Sequence, residues 1–176
     1  MPNSTNRVNL VLLRGATLWI LMALLLAWIL VGLYNEIAFL QWLIPGRPVR
    51  VLQAHLDFLI MSALILGFYA TRVRLPWHVC WAMVIGAFTN SSLFLLHAIF
   101  PVTDPLSELY QEITFWSLAF TIYLYSSLLL TSYGFGKAAV LIFKSTFNEK
   151  DYVAKDQQSS CKRCGRALAD ELTPLN

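Results

Sequence analysis

Residues 53 to 61 read Gln53-Ala54-His55-Leu56-Asp57-Phe58-Leu59-Ile60-Met61, inside a run from 51 to 70 whose only acidic or basic side chains are this aspartate and this histidine. As a helix, such a run reaches about 30 Å, the thickness of a bilayer's hydrocarbon core. The fold class therefore turns on it. An ionisable side chain at membrane depth is costly and by default functional, so His55 and Asp57 need partners.

Outward from this run, three more apolar stretches of similar length appear, and the spacing predicts spanning helices over about 11–34, 51–70, 77–100 and 112–133. Composition agrees. Of 176 residues, 57% are hydrophobic and 13% charged, and mean hydropathy is +0.59, far more apolar than a soluble domain. The expectation is an all-α integral membrane four-helix bundle over residues 1–147, followed by a flexible cytoplasmic tail over 148–176. The net charge of +3 is spread over loops and tail, which argues against nucleic acid and for topology as its cause.

The first run follows Arg7 and Arg14, is too long for a signal-peptide h-region and lacks a small-residue cleavage site, so it reads as a retained anchor. Arg72 and Arg74 lie in the second loop, and Lys137, Lys144, Lys150, Lys155, Lys162, Arg163 and Arg166 follow the fourth run. The third loop carries Asp104, Glu108 and Glu112. Both termini are then expected to be cytoplasmic, in a bacterial inner membrane. Arg47 and Arg50 run against this rule, since the first loop would lie outside. Another task for them is implied.

Along the chain, Ala16, Ala23 and Ala27 give the first helix a small face for close packing. Residues 37–44 are apolar but too short to span, and Trp42 is expected to anchor them at the interface. His55 falls about two turns into the second helix and His97 about one turn before Pro101, so the two imidazoles reach similar depth. Gly86, Asn90, Leu93 or Phe94, and His97 share a face of the third helix. On the fourth, Tyr110, Thr114, Ser117, Thr121 and Tyr125 trace a polar lane with Glu108 and Glu112 at its mouth. The chain is expected to leave this span at Gly134-Phe135-Gly136, with 137–147 continuing as an interfacial amphipathic helix. The tail holds Cys161 and Cys164.

The chemistry of these residues has a functional and an ordinary reading throughout. His55 is a candidate iron or haem ligand with Phe58 and Leu59 lining an apolar slot, or else a histidine hydrogen-bonded between helices. Haem needs cations for its propionates, and Arg47 and Arg50 stand at the mouth of the same helix. Asp57 lies about 200° around the helix from His55 and faces another chain or Arg50, or else is a protonated carboxyl bonded to a neighbouring helix. His97 is a second iron ligand, an acid or base, or an interfacial group reaching water. Asn90 orients a substrate or forms an interhelical bond. Cys161 and Cys164 make half of a zinc site, which His78, Cys80 or a second tail would complete, or a free or redox-active pair.

Ala54-His55-Leu56-Asp57 in the second span, Gly86-Ala87-Phe88-Thr89-Asn90 in the third and the aromatic run to Pro101 resemble the small four-span membrane isomerases, styrene oxide isomerase and hydroxylaminobenzene mutase. The similarity covers about residues 50 to 101. It implies a trimer in which the histidine at His55 carries haem b and ferric iron acts as a Lewis acid on an epoxide oxygen, with Asn90 matching the helix 3 asparagine. Two positions depart from the pattern: Met61 replaces a second asparagine, and Phe94 replaces a tyrosine. His97 is an addition.

The expected function is thus a haem-binding membrane protein of this isomerase-like class, acting without net redox on a small apolar molecule dissolved in lipid. One alternative is a non-catalytic haem protein ligated by His55 and His97, for electron transfer or sensing. Another is a haem-free scaffold whose Cys161/Cys164 tail binds zinc.

Overall fold

The computed structural model describes the backbone of residues 5–108 and 115–171, and side chains over 10–108 and 115–147. Among the described residues every regular element is helical: α1 (Thr5–Tyr34), α2 (Ala38–Leu43), α3 (Pro48–Ala70), α4 (Trp77–Ile99), a 3-10 turn (Pro101–Thr103) and α5 (Phe115–Glu171). Prolines mark the ends. Pro48 occupies the first turn of α3, where its missing N–H is no loss, Pro76 caps α4, and Pro101 follows it.

Among the described residues, four helical segments are long and apolar enough to cross a membrane: Leu10–Tyr34, Pro48–Ala70, Trp77–Ile99 and Phe115–Phe147. Their outward faces carry large apolar side chains such as Leu21, Trp28, Ile60, Trp116 and Leu129, all exposed. In water this would be an aggregation hazard. Against acyl chains it is a matched surface.

The chain divides into two units, Met1–Ala138 and Ala139–Asn176. In the first, α1 packs along α3, and both meet α4. Ala16 and Ala23 of α1 are fully buried, as the small face of the sequence predicts, and they let the backbones approach closely. Trp19, Phe58 and Phe88 fill the α1–α3–α4 junction, with the Trp19 and Phe88 rings stacked at 4.8 Å. Trp19 Nε1 donates to the Val84 carbonyl at 3.1 Å. The second unit is helical as far as Glu171.

At Gly134-Phe135-Gly136, where the sequence predicts the exit from the fourth span, α5 runs on without a break. The reason lies in packing. A Cβ at Gly134 would stand 2.8 Å from the Met83 nitrogen, and one at Gly86 would stand 2.9 Å from the Thr131 Cα. These glycines mark close approach of α4 and α5 rather than a chain break. The helix also continues beyond 148, where the sequence predicts a loose tail, over a stretch rich in the good helix formers Ala, Lys, Gln and Glu.

Candidate functional site

His55 sits half-buried on α3, with Nδ1 2.8 Å from the Ala23 carbonyl oxygen of α1. A carbonyl only accepts, so Nδ1 carries a proton, and in the neutral ring Nε2 keeps its lone pair. That is the tautomer in which proteins present an imidazole to a metal, the second ring nitrogen being tethered to a backbone oxygen. Leu52, Leu56 and Leu59 are exposed around it and form an apolar outer surface. Phe58 does not join them, because it is fully buried against Trp19 and Phe88.

Asp57, which points away from His55 as the helix period requires, accepts a hydrogen bond from Asn90 Nδ2 at 3.1 Å. The α3 carboxylate and the α4 amide therefore satisfy one another across the helix pair. The second amide N–H and the carbonyl of Asn90 remain beyond this bond. His55 and Asn90 are engaged with different neighbours, α1 for one and α3 for the other.

At the start of α3, Arg50 makes a bidentate ion pair with Asp104: Nε donates to Oδ2 at 2.8 Å and Nη2 to Oδ1. Its Nη1 donates to Gln53 Oε1 at 2.9 Å. Asp104 is 1% exposed and also accepts the Leu106 N–H at 3.1 Å. The guanidinium hydrogen bond, outweighing the cost of burial, holds the Asp104 carboxyl below the usual range. Arg47 is exposed, its Nη1 3.4 Å from the Leu106 carbonyl. The first and third loops thus meet at one end, and the Gly46 N–H bonds the Ala98 carbonyl there at 2.8 Å. Sequence reasoning misses Asp104 as a partner. A signal for it exists: the misplaced positive charge of the first loop faces the negative charge of the third.

His97 turns elsewhere. Its Nδ1 lies 3.1 Å from Thr103 Oγ1, and its ring packs on Phe120 with centroids 4.3 Å apart. Among the described residues no bond or ring contact links it to His55. It lines a cleft of about 340 Å³ whose walls include Thr103, Ser117, Phe120, Thr121 and Leu124. Ser117 and Thr121 of the expected polar lane are therefore in place, while Tyr110, Glu112 and Thr114 lie outside the described residues. Farther along, α5 is bonded to α4 through Ser92 and Tyr123 at 2.7 Å, Ser127 and Thr89 at 3.0 Å, and Thr131 and the Gly86 carbonyl at 2.9 Å. Nothing in the sequence singles out this seam, since isolated Ser and Thr in spans are common.

The Cys161 and Cys164 side chains lie outside the described residues. Of the partners considered for them, His78 Nε2 is 3.2 Å from Lys137 Nζ and Cys80 is buried. Among the described residues, no group of three His, Cys, Asp or Glu side chains is arranged to hold a metal ion. Compared with family models, curated proteins and solved structures, the chain matches none.

Proposed function

We propose that this chain is an integral membrane protein whose four spans form a bundle with both termini cytoplasmic, and that it holds haem through His55 in the manner of the small four-span isomerases. One observation carries the reading. The Ala23 carbonyl fixes His55 in the tautomer that leaves Nε2 open, beside the exposed apolar surface of Leu52, Leu56 and Leu59 that suits a porphyrin face. The residues therefore fit the group.

Arg50 is committed to Asp104, so propionate pairing falls to Arg47, which is exposed. Haem iron supplies Lewis acidity toward a substrate oxygen with no net electron transfer. The chain's part is to tether the imidazole, exclude water with leucines and offer the remaining amide groups of Asn90 to a polar substrate atom. Asn90 is bonded to Asp57, which lies about 200° around α3 from His55, so an Asn90 that meets a substrate held beside His55 would come from a neighbouring copy. This favours a homo-oligomer, a trimer by the resemblance. The substrate is a small apolar molecule that reaches the site from lipid.

The test is a visible spectrum of the protein purified from haem-supplemented cells. A Soret band lost in His55→Ala and unchanged in position and spin state in His97→Ala is expected. Absence of the band, or its retention in His55→Ala, refutes the assignment. A low-spin spectrum that becomes high-spin in His97→Ala would instead establish ligation by both histidines.

A further inference from the structure

The geometry points to a second small-molecule site, in the cleft between α4, the turn at Pro101–Thr103 and α5, which takes a one-ring alcohol or phenol as hydrogen-bond donor to His97 Nε2. This site stands independently of haem. Its character follows from where the protons go. Thr103 Oγ1 donates to the Phe100 carbonyl at 2.8 Å, so its contact with His97 Nδ1 at 3.1 Å is made by the ring's own N–H. In the neutral ring this leaves Nε2 unprotonated. Thr121 Oγ1 likewise spends its proton on the Ser117 carbonyl at 2.8 Å, leaving lone pairs alone.

His97 Nε2 and Thr121 Oγ1 are thus acceptors in a cleft whose walls combine the apolar Leu93, Phe94, Phe120 and Leu124 with the hydroxyl-bearing Thr103 and Ser117. A ligand that only accepts, such as an ether, epoxide or ketone, finds no partner at them. A molecule with an O–H and an apolar body does: its hydroxyl pairs with the half-buried His97 nitrogen while its body covers the apolar walls. Size sets the rest. A cavity near 150 Å³ accommodates benzene, and this one, at about 340 Å³, has room for one ring with small substituents. Phe120, already packed on His97, supplies an aromatic wall for it.

The experiment uses the full chain in lipid nanodiscs and fluorine NMR of two probes of one shape, 4-fluorophenol and 4-fluorotoluene, each corrected for partition into protein-free discs. The phenol should bind about tenfold more tightly, the worth of one good hydrogen bond. His97→Phe should erase that preference, and Leu124→Trp, placed at the exposed rim, should block both probes. The ¹⁵N resonance of His97 Nε2 should shift on adding the phenol and not the toluene. Equal binding of the two probes overturns the proposal, as does a preference that survives His97→Phe. Should His97→Phe fail to fold, a folded Leu124→Trp protein that still binds the phenol at wild-type affinity overturns it equally.

Discussion

Asp104 is a carboxylate with almost no exposure, kept ionised by Arg50. Because its folded pKa lies below the unfolded value of about 3.9, the stabilisation is present in full above that value and is lost as pH falls through the folded pKa. Thermal melts in detergent should therefore drop steeply below about pH 4, and Asp104→Asn should flatten that drop. At neutral pH the same substitution leaves a part-buried guanidinium without its carboxylate and should cost about 2 kcal/mol. Arg50→Ala should behave alike. Arg47→Ala, at an exposed site, should change stability by less than about 0.5 kcal/mol while lowering haem retention, a contrast that thermal melts and haem titration read separately. That His55 needs a partner was legible in the sequence, because an imidazole in an apolar run does not stand alone; that the partner is the Ala23 carbonyl of α1 was not. The ion pair was not, since its members are 54 positions apart and no local pattern joins them.

The helices repeat this division between local and distant causes. The far ends of α1, α3 and α4 and the starts of α3 and α4 follow from hydropathy and proline, both visible in a short window, whereas α1 begins at Thr5, ahead of its apolar run. The course of α5 does not, because a glycine pair reads as a stop unless the neighbour it touches is known. Gly134 touches α4, whereas a Cβ at Gly136 would meet nothing within 4 Å. Gly134→Leu should accordingly cost about 2 kcal/mol by driving α5 from α4, and Gly136→Ala should be neutral or stabilise by up to about 1 kcal/mol. Removing one seam bond with Thr131→Val should cost about 0.6 kcal/mol. Denaturation in mixed micelles measures all three.

For the molecule as a whole, the first and third loops share an end, tied by Arg50 with Asp104, Arg47 with Leu106 and Gly46 with Ala98. In a cysteine-free background, the proposed orientation has an impermeant maleimide labelling Glu36→Cys and Glu108→Cys on intact cells and sparing Arg74→Cys. Reversed labelling would place the termini outside. Charge counting sets the expected direction, and the ion pair gives one of the two first-loop arginines, Arg50, a structural task of its own.

The pair also has a bearing on synthesis. Arg50 opens the α3–α4 hairpin and Asp104 closes it, so the arginine is made, and α3 is delivered to the membrane, well before its counter-ion leaves the ribosome. Until residue 104 arrives the hairpin is an open clasp with an uncompensated cation at its lip. A nascent chain halted before that point should stay sensitive to protease at the first loop, and one halted beyond it should not, making completion of the third loop the step at which the half-built protein locks.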